Sequence, residues 1–515
     1  MTFTANHLTS HRKNRPHGYA GSDSSLRNRY RPMAYRSTLT AALIWAGLLA
    51  APLLGRAQGT VILTGKVSGR TTDTVAVSVR ENPLDIKEQI TYARLDSKGE
   101  FRLALTVNGP TRADLVYGDD VADMFLEPGN QLEIRFKGND LASSVRYKGK
   151  GAEANTFMAE MDDKFVENDG FQVLPDNIML YEAPFLTFLD YRRKEENKFL
   201  EDGGEGLSQA FKNYIKAEID YSYANDRLTF QDLREQVVAT EGRLKMTPGY
   251  YSFLDDKALI NNPGAVQSEM YQEFLLNYIH YLAITSGKQR SDPDFYQVCY
   301  DMAKKQLSGP AKPIIMGRVL KESFRFGHVK QSAAMLEDFR SVDSANGYYP
   351  VLKQDFDTHK AFAIGAPAPD FRLVSSTGDT VSLKQFAGKL VYVNFWRTTS
   401  GLALRDLPYE TELAKKFEGK NIVFLNIALD ENEGAWKQLV ISKKLPGLHV
   451  RTNGGMRSAV ARAYAIQDVP SYFLLAEDGT FLNTKPKRLS SRAAYDEIKE
   501  SFGKANTYSS TLPGR

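Results

Sequence analysis

Cysteine is almost absent from this chain: Cys299 is the only one in 515 residues. A lone thiol excludes an intramolecular disulfide and any cysteine-based metal site. Histidine is also sparse, with seven in the chain, and His280, His328, His359 and His449 are scattered rather than set at the spacing that three or four metal ligands need. No metal and no cofactor is therefore expected. Asp430-Glu-Asn-Glu433 reads as a solvated loop in preference to a carboxylate ion site. A phosphate-cradling glycine loop is missing too, because Gly203-Gly204 and Gly454-Gly455 stand where turns are wanted. Cys299 shares a helical apolar face with Phe295, Val298 and Met302, which makes it a small buried hydrophobe and not a sensor thiol.

Charge of one sign is lacking once the first residues are set aside. The formal net charge of +4 rests on residues 1–57, where Arg12, Lys13, Arg15, Arg27, Arg29, Arg31, Arg36 and Arg56 face Asp23 alone. Residues 58–515 are slightly acidic, so no nucleic-acid-binding field is implied. The longest apolar run, Leu39 to Leu54, falls short of the roughly 20 residues of a membrane span and contains Pro52. With Arg36 before it and Gly55-Arg56-Ala57 after it, the run reads as a secretory signal peptide, and an uncleaved membrane anchor is disfavoured by its length. Met33 lies just ahead, which points to translation starting there. Gln58 occupies the place where a lipoprotein would need cysteine. The expectation is export to the periplasm or cell envelope, with no transmembrane span after signal removal and no lipid anchor.

Three periodicities succeed the leader. Over residues 58–149 apolar positions alternate, as in Val61, Leu63, Val67; Val75, Val77, Val79; Phe101, Leu103, Leu105; Leu132, Ile134, Phe136. With turns at Asp96–Gly99 and Glu127–Asn130, this predicts an antiparallel β-sandwich. Over 150–361 the period is helical: Phe211, Tyr214, Ile215 and Ile219 share one face, and Tyr271, Phe274, Leu275, Tyr278, Ile279 and Leu282 another. An all-helical middle domain is predicted, its aromatic stripes serving as core rather than as a peptide groove. Over 362–502 strands and helices alternate, the pattern of a layered α/β domain: strands at 390–395, 422–428 and 472–475, helices at 406–417 and 435–444. Residues 503–515 form a polar, frayed tail.

In this last region Gly365-Ala-Pro-Ala-Pro-Asp-Phe371, Thr377-Gly378, Val381-Ser-Leu383 and Gly388-Lys-Leu-Val-Tyr-Val-Asn-Phe-Trp396 occur in order, followed by Tyr464-Ala-Ile-Gln-Asp-Val-Pro470. This series resembles the TlpA/ResA-like exported thioredoxins and their peroxiredoxin (AhpC/TSA) relatives. The resemblance implies a thioredoxin-like fold and a cis peptide before Pro470. It also implies a Cys-x-x-Cys pair at the start of the helix after residue 396, and here Ser400 and Ala403 stand in its place. Family chemistry needs a thiolate favoured by the helix N-terminus and a second thiol to resolve the mixed disulfide. Ser400 and Ala403 can supply neither, and a peroxidatic site fails for the same reason. Thr399 replaces the family's usual tryptophan and Arg397 its small residue, while Phe395, Trp396, Gly401, Asp406 and Pro408 keep the frame.

Ser400 as a hydrolytic nucleophile would need a histidine base, and no motif ties one to it; no Gly-x-Ser-x-Gly elbow occurs. The reading that remains is a redox-inactive module of the cell envelope that binds polypeptide or an envelope protein partner. Its groove would be formed by Trp396, Thr399, Ser400, Val469 and Pro470, where an extended peptide could add as a strand. Two alternatives stand beside it: a thiol-disulfide oxidoreductase of the TlpA/ResA type, as the resemblance implies, and a structural or assembly subunit. At Ser400 a helix cap competes with a ligand contact.

Overall fold

A computed structural model describes residues 59–502, apart from 81, 86–88, 119, 239–241, 344–346 and 492. The leader (1–57), the start at Met33 and the tail (503–515) lie outside the described residues. Those residues form two compact units, one of 59–80 with 89–251 and the other of 82–85 with 252–502.

In the first unit the alternating segments become β1 (Gly59–Ser68), β2 (Thr74–Val79), β3 (Gln89–Arg94), β4 (Glu100–Val107), β5 (Thr111–Tyr117), β6 (Asp120–Leu126), β7 (Gln131–Lys137) and β8 (Arg146–Lys150). They make two four-stranded sheets, β4-β1-β7-β8 and β3-β2-β5-β6. Val61, Leu63 and Ile134 from one and Val75, Val77 and Leu115 from the other share a single core, as a sandwich requires. One pairing departs from the antiparallel expectation: β1 runs parallel to β7. Since β5 and β6 belong to the opposite sheet, β7 returns by a crossover and not a hairpin, and a crossover permits the parallel direction.

The middle region is helical. Its first helices, α1 (Ala152–Met161), α2 (Glu182–Asp202) and α3 (Gln209–Val237), fall in the first unit, where Phe211, Tyr214, Ile215 and Ile219 cluster with Phe157 and with Phe125 of β6. The stripe is core. The second unit contains α4 (Glu269–Thr285), α5 (Phe295–Gln306), α6 (Ala311–Arg325), α7 (Val329–Val342) and α8 (Tyr349–His359). The α4 stripe is also buried, Leu282 excepted.

The same unit ends in β9 (Arg372–Ser375), β10 (Thr380–Ser382), β11 (Leu390–Trp396), α9 (Gly401–Lys416), β12 (Ile422–Ala428), α10 (Glu433–Ser442), β13 (Leu448–Arg451), α11 (Ala459–Ala463), β14 (Ser471–Leu475), β15 (Phe481–Asn483) and α12 (Ala493–Ser501). The seven-stranded sheet has the order β10-β9-β13-β12-β11-β14-β15. Strands β11, β12 and β13 are parallel, and β14 is antiparallel to β11. Alternation divides β11 between two layers. Val391, Val393 and Phe395 pack with Leu425, Ile427 and Phe473 on one face. On the other, Leu390 and Tyr392 meet Leu413 of α9 and Ile498 of α12, and Trp396 meets Ala403, Leu407 and Trp436. Helix α9 begins at Gly401, five residues before the expected start, because Ser400 supplies the cap that lets the first turn close. Among the described residues no helix is long and apolar enough to cross a membrane.

Candidate functional site

The C-terminal ends of the parallel strands carry the site, as open α/β sheets favour. Trp396 ends β11 opposite Ala428 of β12, which in turn is opposite Arg451 of β13. On the other side Ser471 pairs with Phe395, which brings the Val469–Pro470 peptide to the same edge as the 397–400 loop. That peptide is cis.

The loop is pinned from below. Thr398 donates its N–H to both oxygens of Asp430, at 3.0 and 3.1 Å, and its hydroxyl to Oδ1 at 2.6 Å. Asp430 is buried, its own carbonyl accepting from Arg451, so it is an anchor and not part of the solvated loop the sequence suggested. Ser400 adopts an extended backbone, and its Oγ accepts from the Ala403 N–H at 3.3 Å, while the Leu404 N–H bonds its carbonyl at 3.0 Å. The hydroxyl is therefore engaged as an N-cap. By helix geometry the N–H groups of Gly401 and Leu402 have no intrahelical acceptor and face outward from the helix start.

The residues expected to form the groove separate by depth. Thr399 is exposed, and Ser400, Val469 and Pro470 are half-buried. Trp396 is fully buried, which corrects its assignment to the groove surface: alternation along β11 turns its ring under α9, edge-on to His449 at 5.7 Å. It forms the floor. Ala403, where the resemblance implies a resolving thiol, is also fully buried and clusters with that ring.

Below the loop lies a feature that motif reading missed. Asn394, Asn426 and His449 occupy one register row across β11, β12 and β13. Asn394 donates to Asn426 Oδ1 at 2.8 Å, and Asn426 donates to both carboxyl oxygens of Glu410 on α9, at 3.1 and 3.0 Å. The His449 Nε2–H donates to the Pro446 carbonyl at 2.7 Å. Burial pushes the Glu410 carboxyl up to about 8, against the lowering effect of the Asn426 amide. Burial pushes His449 down to about 4. A signal was available: each central strand, Leu-Val-Tyr-Val-Asn-Phe-Trp and Ile-Val-Phe-Leu-Asn-Ile-Ala, carries one asparagine at the same place in an otherwise apolar run.

One turn before Glu410, Asp406 is held by Arg488 through Nε at 2.8 Å and Nη2 at 3.0 Å, and the Tyr472 hydroxyl donates to its Oδ2. This ties α9 to β14, two residues beyond Pro470. Elsewhere Cys299 is buried, and its thiol is pushed up to about 12 by burial and then by Glu322. It stays protonated and inaccessible. Among the described residues no group of three potential ligands could hold a metal.

A mixed sheet with three parallel central strands, a capped helix after β11 and a cis-proline strand beside it define a thioredoxin-like site in a chain whose one cysteine lies elsewhere. The Redoxin family model matches residues 363–497. The thiol-disulfide oxidoreductase ResA of Bacillus cereus is 30% identical over 124 residues, 24% of this chain and 70% of the relative; that of Geobacillus kaustophilus is 28% identical over 133 residues, 25% and 74%. Two solved structures are similar to about a quarter of the chain. The thioredoxin domain of a Bacteroides vulgatus thiol-disulfide oxidoreductase has 25% identity and a TM-score of 0.25, covering 27% of this chain and 96% of that one. A Bacteroides fragilis thiol-disulfide oxidoreductase has 25% identity and a TM-score of 0.24, covering 26% and 98%. The chain belongs to the TlpA/ResA-like redoxin family, and with Cys299 as its one cysteine it has no Cys-x-x-Cys pair.

Proposed function

We propose that this is an exported, redox-inactive redoxin that binds polypeptide in the cell envelope. Residues 362–502 act as the binding module in this reading, following the sandwich region 58–149 and the helical region 150–361 in the chain. The observation that carries it is the state of the two lost positions: the Ser400 oxygen is committed to the Ala403 N–H, and Ala403 is sealed in the core. Neither end of a thiol exchange exists, yet the surface above them is retained. Thr399, the free amides at the start of α9 and the edge at Val469–Pro470 offer an extended chain hydrogen-bonding groups without any thiol. Ser400 supports this surface as a cap, so in this reading it shapes the groove and does not grip the ligand.

The relatives are named thiol-disulfide oxidoreductases, and that activity is the alternative to be tested. The purified protein is expected to reduce insulin disulfides no faster than dithiothreitol alone, and clear catalysis would overturn the proposal. Ser400→Cys with Ala403→Cys is expected to raise the rate above that background, because the cap geometry and the small buried site at 403 both accept a thiol. A structural subunit predicts something else again: capture of envelope protein that is indifferent to Thr399→Arg, a substitution that fills the exposed groove position with a long charged side chain.

A further inference from the structure

The carboxyl of Glu410 is buried with only neutral partners. Asn426 of β12 bonds it and Tyr392 of β11 lies within its electrostatic reach, while Asn394 of β11 and His449 of β13 flank Asn426 in the register row beneath. On its own helix Glu412 is exposed and Asp406, one turn before, is taken by Arg488, and Tyr392 is itself further influenced by Tyr472 of β14 and Glu497 of α12. Among the described residues burial and the Asn426 amide are what act on it, and no cation does. His449 keeps its Nε2–H on Pro446 and loses its positive charge well below neutrality, so it supplies no countercharge near pH 7. The turn at 445–447 closes over the carboxyl: a Cβ on Gly447, whose φ is +80°, would stand 1.8 Å from Glu410 Oε1 and 2.9 Å from the Phe424 carbonyl. A carboxylate in such a place has no route to solvation except by moving what covers it.

We propose that Glu410 is a proton-operated latch: with its proton on it closes the floor beneath α9, and loss of that proton opens the 445–447 turn and loosens the helix that Ser400 caps. The regulatory meaning rests on the start of α9 being the binding surface, but the latch is read without any ligand, so its failure and that of the binding proposal are separable. The chain supplies its own probe. Of its three tryptophans, Trp45, Trp396 and Trp436, the last two are buried under α9 and have indole N–H groups without a protein partner.

The experiment is a titration of tryptophan emission from pH 6 to 9.5 in the full chain carrying Trp45→Phe, with far-UV circular dichroism alongside. A reversible red shift with a midpoint near 8 and unchanged circular dichroism is expected, absent in Glu410→Gln and in the apolar Glu410→Leu. Hydrogen exchange of the chain with Glu410 intact, corrected for base catalysis, should show faster exchange in 445–447 and α9 above the same midpoint. A flat titration, a step that persists in the variants, a step that accompanies global unfolding, or exchange that does not change across the midpoint would each overturn the latch.

Discussion

At residue scale the site shows how one atom group decides between chemistries. Serine at position 400, where the resemblance implies a cysteine, carries an oxygen that caps the helix, and a hydroxyl cannot take part in thiol-disulfide exchange. Cys299 cannot compensate: its reaction with a maleimide is expected to be undetectable in native buffer and complete in 6 M guanidinium, as followed by mass spectrometry. Gly447 is the other residue whose identity the geometry fixes. Its positive φ and the contact with Glu410 mean that Gly447→Ala should lower stability by roughly 1–3 kcal/mol in urea titration. Cysteine, serine and alanine identities were legible in the sequence, as was the buried character of Cys299. Gly447 was not, because the collision that excludes a side chain comes from Glu410, thirty-seven positions away.

At the scale of elements, periodicity located strands β11, β12 and β14 to within a residue but started α9 five residues late, since capping is a local hydrogen bond that hydrophobic spacing does not record. The site helix is held at two points that composition left as ordinary acids. Asp430 fixes the loop before it, and Asp430→Ala removes the acceptor of both the Thr398 amide and hydroxyl; a loss of about 1–3 kcal/mol is expected, with faster amide exchange confined first to 397–400. Asp406 fixes its second turn. Asp406→Asn should cost about 2 kcal/mol, less than a fully buried pair would, because the Arg488 side chain keeps a quarter of its surface exposed. Thermal denaturation of the two variants checks both values.

For the whole molecule, the buried pair under α9 should shape stability against pH, and the signs oppose. His449 has a folded value of about 4 against an ordinary 6.5, so between these the unfolded chain holds the extra proton and stability rises with pH. Glu410 has about 8 against an ordinary 4.5, so over that window the folded chain holds the extra proton and stability falls as pH rises. Their contributions cancel between about 4.5 and 6.5 and leave a decline from 6.5 to 8. Relative to the parent, Glu410→Gln should abolish that decline, and His449→Gln should extend it down to about 4.5, each by a slope of about 1.4 kcal/mol per pH unit in denaturant titrations. Persistence of the decline in Glu410→Gln would contradict the assignment.

The order of the sandwich, helical and α/β regions and the lack of a second cysteine were decided by the sequence alone, because alternation and residue type are properties of the chain as written. Tertiary structure decided the rest: the parallel β1–β7 pair, the burial of Trp396, the anchoring roles of Asp430 and Asp406, and the meeting of Glu410 with the Asn394–Asn426–His449 row. Each depends on which residues the register and the helix crossing bring together across tens of positions. No local pattern encodes that distance.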